Sequence, residues 1–362
     1  MALSDEISKR IAQEAKKTIE LITQRIPKVL DWRDRGGSPR EVKRLVVISD
    51  THFGNPHELL TDEANIARLC DVLKALEKID ELILLGDVFD FWLVPMREAI
   101  QRGRDFMSAL YELDNVSRMI YIPGNHDHRA FWMLYEEKYL ERLREGELDP
   151  PEISLPLTDD CPVMDILKPS TARVALSMVY PIHQVKVKGK DVLLTHGHLL
   201  GFFERSMWRP RHSVLASLIL SRSEYLGLED MERFLSPFYQ MLALSAEVPG
   251  VTSGGYRLYR LLSRTGKILG LQGDERVSTY RGTSIEENAA EIEALLDHFC
   301  SDTPAYFVYG HTHRPGKLEL PISRTLAVNT GCWLGDEGLF YSACTILEIS
   351  DSANLFEVDL KT

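Results

Sequence analysis

Five short fragments of this chain combine residue types that can hold divalent cations. They are Asp50-Thr-His52, Gly86-Asp87 with Asp90 three residues later, Gly124-Asn125-His126-Asp127, His196-Gly-His198 and Gly310-His311-Thr-His313. Carboxylate, imidazole and amide oxygen are intermediate-to-hard donors that suit Mn²⁺, Fe²⁺, Zn²⁺ or Co²⁺ and need no thiolate. Each fragment alone is weak, because Asp-x-His is commonplace and Gly-Asp after a strand is ordinarily a turn. Five together are another matter. His57, His128, His183, His212 and His298 have no spacing that demands a function.

Each fragment follows a short apolar run. Leu45-Val-Val-Ile48, Glu81-Leu-Ile-Leu-Leu85, Met119-Ile-Tyr-Ile122, Asp191-Val-Leu-Leu-Thr195 and Tyr306-Phe-Val-Tyr309 read as buried strands. Helical patterns over 62–78 and 98–114 separate the first three, which predicts a βαβαβ opening with a largely parallel sheet. Open α/β sheets bind ligands at the carboxyl ends of their strands, and the five fragments fall there. Gly86, Gly124 and Gly310 directly precede candidate ligands, where a tight turn can demand positive φ or close backbone approach.

The remainder is organised around this core. Ile7, Ile11, Ala15, Ile19, Ile22 and Ile26 recur at helical spacing, predicting an amphipathic helix that packs on the domain or a second subunit. The runs 324–328, 343–349 and 354–360 predict a second, more antiparallel sheet. Between 201 and 300 helical segments are expected at 203–222, 229–245, 252–268 and 284–299, as a cap inserted between core strands. The predicted organisation is therefore 1–40 as helix and linker, 41–200 with 301–362 as the core, and 201–300 as the helical insert.

Composition bounds the class. The 362 residues are 44% hydrophobic and 27% charged, enough for a packed core in a soluble globular chain. A net charge of −12 argues against a general nucleic-acid binder. Five scattered cysteines without a C-x-x-C pair point to a reducing, intracellular setting. No apolar run approaches the ~20 residues of a membrane span, and no signal-peptide core is present, so a cytoplasmic location is expected.

In this order the five fragments resemble the calcineurin-like metallophosphoesterase superfamily over roughly residues 44–200 and 303–333. The resemblance implies an α/β core of two stacked mixed β-sheets flanked by helices. It implies a dinuclear centre, with Asp50, His52 and His313 on one metal, Asn125, His196 and His311 on the other, and Asp87 bridging. Manganese is the first expectation, with iron, zinc, cobalt or nickel as alternatives. A metal-bridging hydroxide would attack phosphorus, His126 would protonate the leaving oxygen, and Asp90 would orient that imidazole. His198, beside a candidate ligand, would sit in the site either supporting that ligand or contacting substrate, and Asn329-Thr330-Gly331 would shape its floor.

The reaction expected is hydrolysis of a phosphodiester or diphosphate bond in a phosphorylated small molecule or lipid-linked substrate. Gly86-Asp-Val-Phe-Asp-Phe-Trp92, His196-Gly-His-Leu-Leu200 and Gly310-His-Thr-His-Arg-Pro315 are similar to the UDP-2,3-diacylglucosamine pyrophosphatases of the lipid A pathway. This chain departs from them in length, at His126 and at His198. Arg257, Arg260 and Arg264 would line one helical face of the insert, suited to a phosphate or an anionic membrane surface. A nuclease, and a non-catalytic scaffold of the same fold, are the alternative readings, and a homodimer is an open expectation.

Overall fold

The computed structural model describes residues 5–24, 28–29, 39–152, 154–203, 226–248, 283–335 and 344–360. Along the chain run α1 (Asp5–Thr23), β1 (Arg40–Val42), β2 (Leu45–Ile48), α2 (Glu63–Ala75), β3 (Glu81–Leu84), α3 (Met96–Arg102), α4 (Arg104–Tyr111) and β4 (Arg118–Tyr121). They continue with α5 (Arg129–Arg144), β5 (Leu157–Asp159), α6 (Pro162–Leu167), β6 (Ala175–Tyr180), β7 (Ile182–Val187) and β8 (Lys190–Thr195). A 3₁₀ segment (His198–Phe203), α7 (Leu228–Glu247) and α8 (Ile285–Phe299) precede β9 (Tyr306–Tyr309), β10 (Gly316–Glu319), β11 (Leu326–Asn329), β12 (Thr345–Ile349) and β13 (Ala353–Glu357).

Two mixed sheets stack face to face, one ordered β13-β12-β2-β3-β4-β6-β5 and the other β1-β7-β8-β9-β11-β10. Alternate side chains of a strand point to opposite faces, so β2 splits into two layers. Leu45 and Val47 join Ile83, Leu85, Ile120, Val185, Val192, Leu194, Val308 and Val328 between the sheets. Val46 and Ile48 face outward with Leu82, Leu84 and Met119 onto Leu69 and Leu73 of α2 and Phe106 and Leu110 of α4. Behind the second sheet, Leu193, Phe307 and Tyr309 cluster with Ile11 and Ile22 of α1 and Ile292, Leu295 and Phe299 of α8. The result is an α/β/β/α arrangement. Among the described residues no helix is long and apolar enough to cross a membrane.

The opening strands β2, β3 and β4 are parallel, with Leu45 opposite Glu81 and Leu82 opposite Met119. The helix expected over 98–114 is instead two, joined at Gly103, because the Phe53 and Phe89 rings press there; an added Cβ would lie 2.7 Å from Phe89 Cε1. The strands after residue 320 do not build a sheet of their own. β11 lies parallel to β9, whereas β12 runs antiparallel to β2 and carries β13 on its outer edge. Every residue of β12 is buried, so it needs a strand partner on both sides and apolar cover on both faces, which only the existing sandwich supplies. Of the helices expected in the insert, those at 229–245 and 284–299 correspond to α7 and α8; the other two lie outside the described residues.

Candidate metal centre

The loops after β2, β3, β8 and β9 meet at one end of the sandwich and leave their strands through strained turns. Asp50, His52, Asp87, His311 and His313 all have left-handed backbones, with φ of 54°, 50°, 50°, 65° and 58°. For residues with a Cβ this conformation costs ~1–3 kcal/mol each and survives only where the surroundings over-determine it. Here the loops lock one another: Asp50 N donates to Gly86 O (3.0 Å), His52 N to Asp87 O (2.9 Å), Gly310 N to His196 O (3.0 Å) and Trp333 N to Asp50 O (3.0 Å). Two glycines make the closeness possible. A Cβ on Gly86, itself at φ 78°, would overlap the His196 ring, and one on Gly310 would overlap the Asp50 carboxylate.

Three trios of side chains result, Asp50/His52/His313, Asp87/His196/His311 and, sharing His52 with the first, His52/Asp90/His126, each with its donor atoms within 4.8 Å of one another. In the first, His52 Nε2 lies 3.0 Å from His313 Nε2 and 3.9 Å from Asp50 Oδ1, while His313 Nε2 is 3.3 Å from that same oxygen. Two imidazole nitrogens in contact beside a carboxylate require a cation or a proton between them. In the second, His196 Nε2 is 3.0 Å from Asp87 Oδ2. Nδ1 of His196 donates to Leu85 O at 2.9 Å, which leaves Nε2 as the nitrogen turned into the site. The Asn125 loop abuts both, since His126 N donates to Asp87 Oδ1 at 2.8 Å. Asn125 Oδ1 is buried without a hydrogen-bond partner among the described residues, and His196 Nε2 faces only the Asp87 carboxylate. Unpaired buried acceptors are costly. A cation ligated by them removes that cost, so the donor set fits a divalent metal.

Electrostatics agree. Burial pushes the Asp87 carboxyl up, but His196, His126 and His52 around it hold it well below the carboxylate range. Burial is likewise outweighed at His196, where Asp87 and Asp50 raise the imidazole to about 9. Burial and the charge on His196 push His311 down to about 3. In the metal-free chain protons on some histidines thus balance the buried carboxylates, a charge that cations would replace.

Around the trios sits a further layer. Asp90 is shared: Oδ1 accepts from His126 Nδ1 at 2.9 Å and Oδ2 lies 3.3 Å from His52 Nδ1, turning His52 Nε2 toward Asp50. Burial lowers the His126 imidazole, but Asp90 and Asp87 more than restore it and raise it. Trp92 stacks on His126 with centroids 4.0 Å apart. Thr330 Oγ1 meets Ser49 Oγ at 2.6 Å and Asn329 Nδ2 donates to Gly310 O at 2.7 Å, so 329–331 floor the site. His198 is buried, its ring 5.8 Å from that of His196 and its Nε2 3.4 Å from Tyr180 Oη. Arg257, Arg260 and Arg264 lie outside the described residues.

Sequence reading passed over Asp127. Its carboxylate accepts from the amides of Gly124 (2.6 Å), Val88 (2.7 Å) and Asp87 (3.3 Å), tying the Asn125 loop to the Asp87 loop. Its place directly after His126 was the one available signal. Trp92 and His128 were also passed over.

Fold and site together define a metal-dependent phosphoesterase. The family model described as calcineurin-like phosphoesterase matches residues 43–315, and the chain belongs to that family. No curated protein matches it significantly. Among solved structures it is similar to a Vps29 variant from Entamoeba histolytica (14% identity, TM-score 0.30, covering 88% of this chain and 99% of that one). A dimetal phosphatase from Danio rerio (13%, TM-score 0.33, 89% and 100%) and a cold-active protein-tyrosine phosphatase of a psychrophilic Shewanella (15%, TM-score 0.30, 91% and 85%) are also similar.

Proposed function

We propose that this chain hydrolyses phosphodiester or diphosphate bonds at a dinuclear centre. Asp50, His52 and His313 would hold one divalent cation, Asn125, His196 and His311 the other, with Asp87 common to both. One observation carries this reading. A single oxygen, Asp87 Oδ2, lies 3.0 Å from His196 Nε2 in one trio and 3.8 Å from His52 Nε2 in the other. One carboxylate at that junction is what a pair of cations about 3.5–4 Å apart requires.

When bound, the cations, manganese first among the candidates, supply Lewis-acid charge for the phosphoryl oxygens and acidify water. The chain's own groups do the remainder. His126 gives Nδ1 to Asp90, which leaves Nε2 as the nitrogen that delivers a proton to the leaving oxygen. Asp90 favours the protonated ring, and Trp92 holds it by its face. The substrate proposal extends to Arg257, Arg260 and Arg264 as phosphate contacts, to His198 as a neighbour of the reacting group, and to a lipid-linked diphosphate of the UDP-2,3-diacylglucosamine type.

Purified protein supplied with Mn²⁺ is expected to turn over bis(p-nitrophenyl) phosphate and at least one nucleoside diphosphate ester. Preference for a lipid-linked diphosphate would select the lipid-precursor reading, and preference for DNA or RNA the nuclease. Inactivity across Mn²⁺, Fe²⁺, Zn²⁺, Co²⁺ and Ni²⁺ on the whole panel would leave the scaffold.

A further inference from the structure

Helix α7 turns one buried acid toward the site. Glu232 is 1% exposed, and its two oxygens serve two different arms. Oε1 meets His128 Nε2 at 2.7 Å and also accepts from Ser236 Oγ. Oε2 accepts from Tyr180 Oη at 2.7 Å, and Tyr180 Oη lies 3.4 Å from His198 Nε2. Gln240 Nε2 stands 3.2 Å from the other nitrogen of His128. A buried carboxylate is tolerated only when its lone pairs are filled and its charge is balanced. Burial alone would raise Glu232, yet His128, Ser236 and Tyr180 bring it below its ordinary value, which favours the anion.

The two arms end beside residues proposed to hold the same cation. His128 lies three residues after Asn125, on the loop that also carries His126, while His198 lies two residues after His196. Because Tyr180 gives its proton to Glu232, its oxygen accepts from His198 Nε2, which fixes the tautomer of that ring. We infer that Glu232, supplied by the segment inserted between β8 and β9, is a positioning residue for the Asn125/His196 half of the metal centre. It braces the two ligand loops against each other, as Asp90 braces His52 and His126. Simple anchoring of α7 does not require it. The helix is pinned elsewhere by Leu155 N on Glu229 Oε1 (3.1 Å), Met96 N on Glu247 Oε1 (2.9 Å) and Tyr239 against Trp92.

The inference rests on the dinuclear reading, and metal titration separates the two. Wild-type full-length protein, stripped and titrated with Mn²⁺ by calorimetry with metal analysis, is expected to take up two equivalents. In Glu232→Gln the tighter equivalent should be retained if it occupies the Asp50 half. Affinity for the Asn125/His196 half should fall by about 10–100-fold, the usual effect of losing a group that orients metal ligands. Tyr180→Phe cuts one arm and should give a smaller loss in the same equivalent, with Glu232→Asp restoring part of it. Two equivalents with wild-type affinities in Glu232→Gln would overturn the inference while leaving the centre intact. Absence of metal uptake by wild type would instead overturn the centre itself. If Glu232→Gln does not fold, Tyr180→Phe decides: unchanged affinity for both equivalents overturns the inference.

Discussion

Asp87→Asn is expected to abolish paired metal binding and to lower kcat by about 10³-fold or more. The size follows from the position of one oxygen. The amide keeps its Oδ1 for His126 N, which is 2.8 Å away in the native loop, so the backbone arrangement is preserved. At the other atom a lone pair becomes two N–H groups, facing His196 Nε2 at 3.0 Å and His52 Nε2 at 3.8 Å. Both trios lose their common donor and the negative charge that offsets two cations. Metal-supplied charge stabilisation is worth several kcal/mol, and each 1.36 kcal/mol is tenfold in rate. Metal analysis should find one equivalent or none in the purified variant. Two retained equivalents with near-native turnover would remove Asp87 from the junction.

His126→Ala is expected to separate the proton step from the metals. The ring is held by Asp90 and Trp92; Asp90 also meets His52, and that contact and the His126 N–Asp87 bond both survive in the variant, so metal content should stay at the wild-type value. A positioned general acid contributes ~10²–10⁴-fold. That loss should appear in full for an alkyl phosphodiester and shrink toward unity for p-nitrophenolate, a leaving group that needs no proton. Equal losses with both leaving groups would assign His126 to binding phosphate instead.

Much of the candidate site was readable because its candidate donors sit within a few residues of apolar strand ends. A run such as Leu45–Ile48 announces where the chain surfaces, and the polar residues that follow must face the same end of the sheet. Helices α2, α7 and α8 were legible by period, and α1 by its isoleucine stripe. What was not legible depends on partners far along the chain. Whether β11 and β12 pair with each other or join existing sheets is decided by which edges are open, and no local pattern records that. The break at Gly103 comes from two phenylalanines brought in by other loops. Glu232 and His128 are 104 residues apart, and each reads singly as an unremarkable helix acid and loop histidine. Left-handed backbones at Asp50, His52, Asp87, His311 and His313 are also invisible by type, since only the mutual locking of four loops enforces them.

Strain at those five positions has a functional reading in physical terms. Donors preset by interlocked backbone lose little freedom when a cation arrives, so the cost is met in folding the scaffold and not at binding.

Whether two cations share Asp87 is tested most directly by anomalous scattering. Crystals of the protein equilibrated with Mn²⁺, recorded at the manganese edge, should show two peaks about 3.5–4 Å apart, one beside Asp50, His52 and His313 and one beside Asn125, His196 and His311, with Asp87 between. A single peak, or a pair that does not have Asp87 between them, would contradict the account.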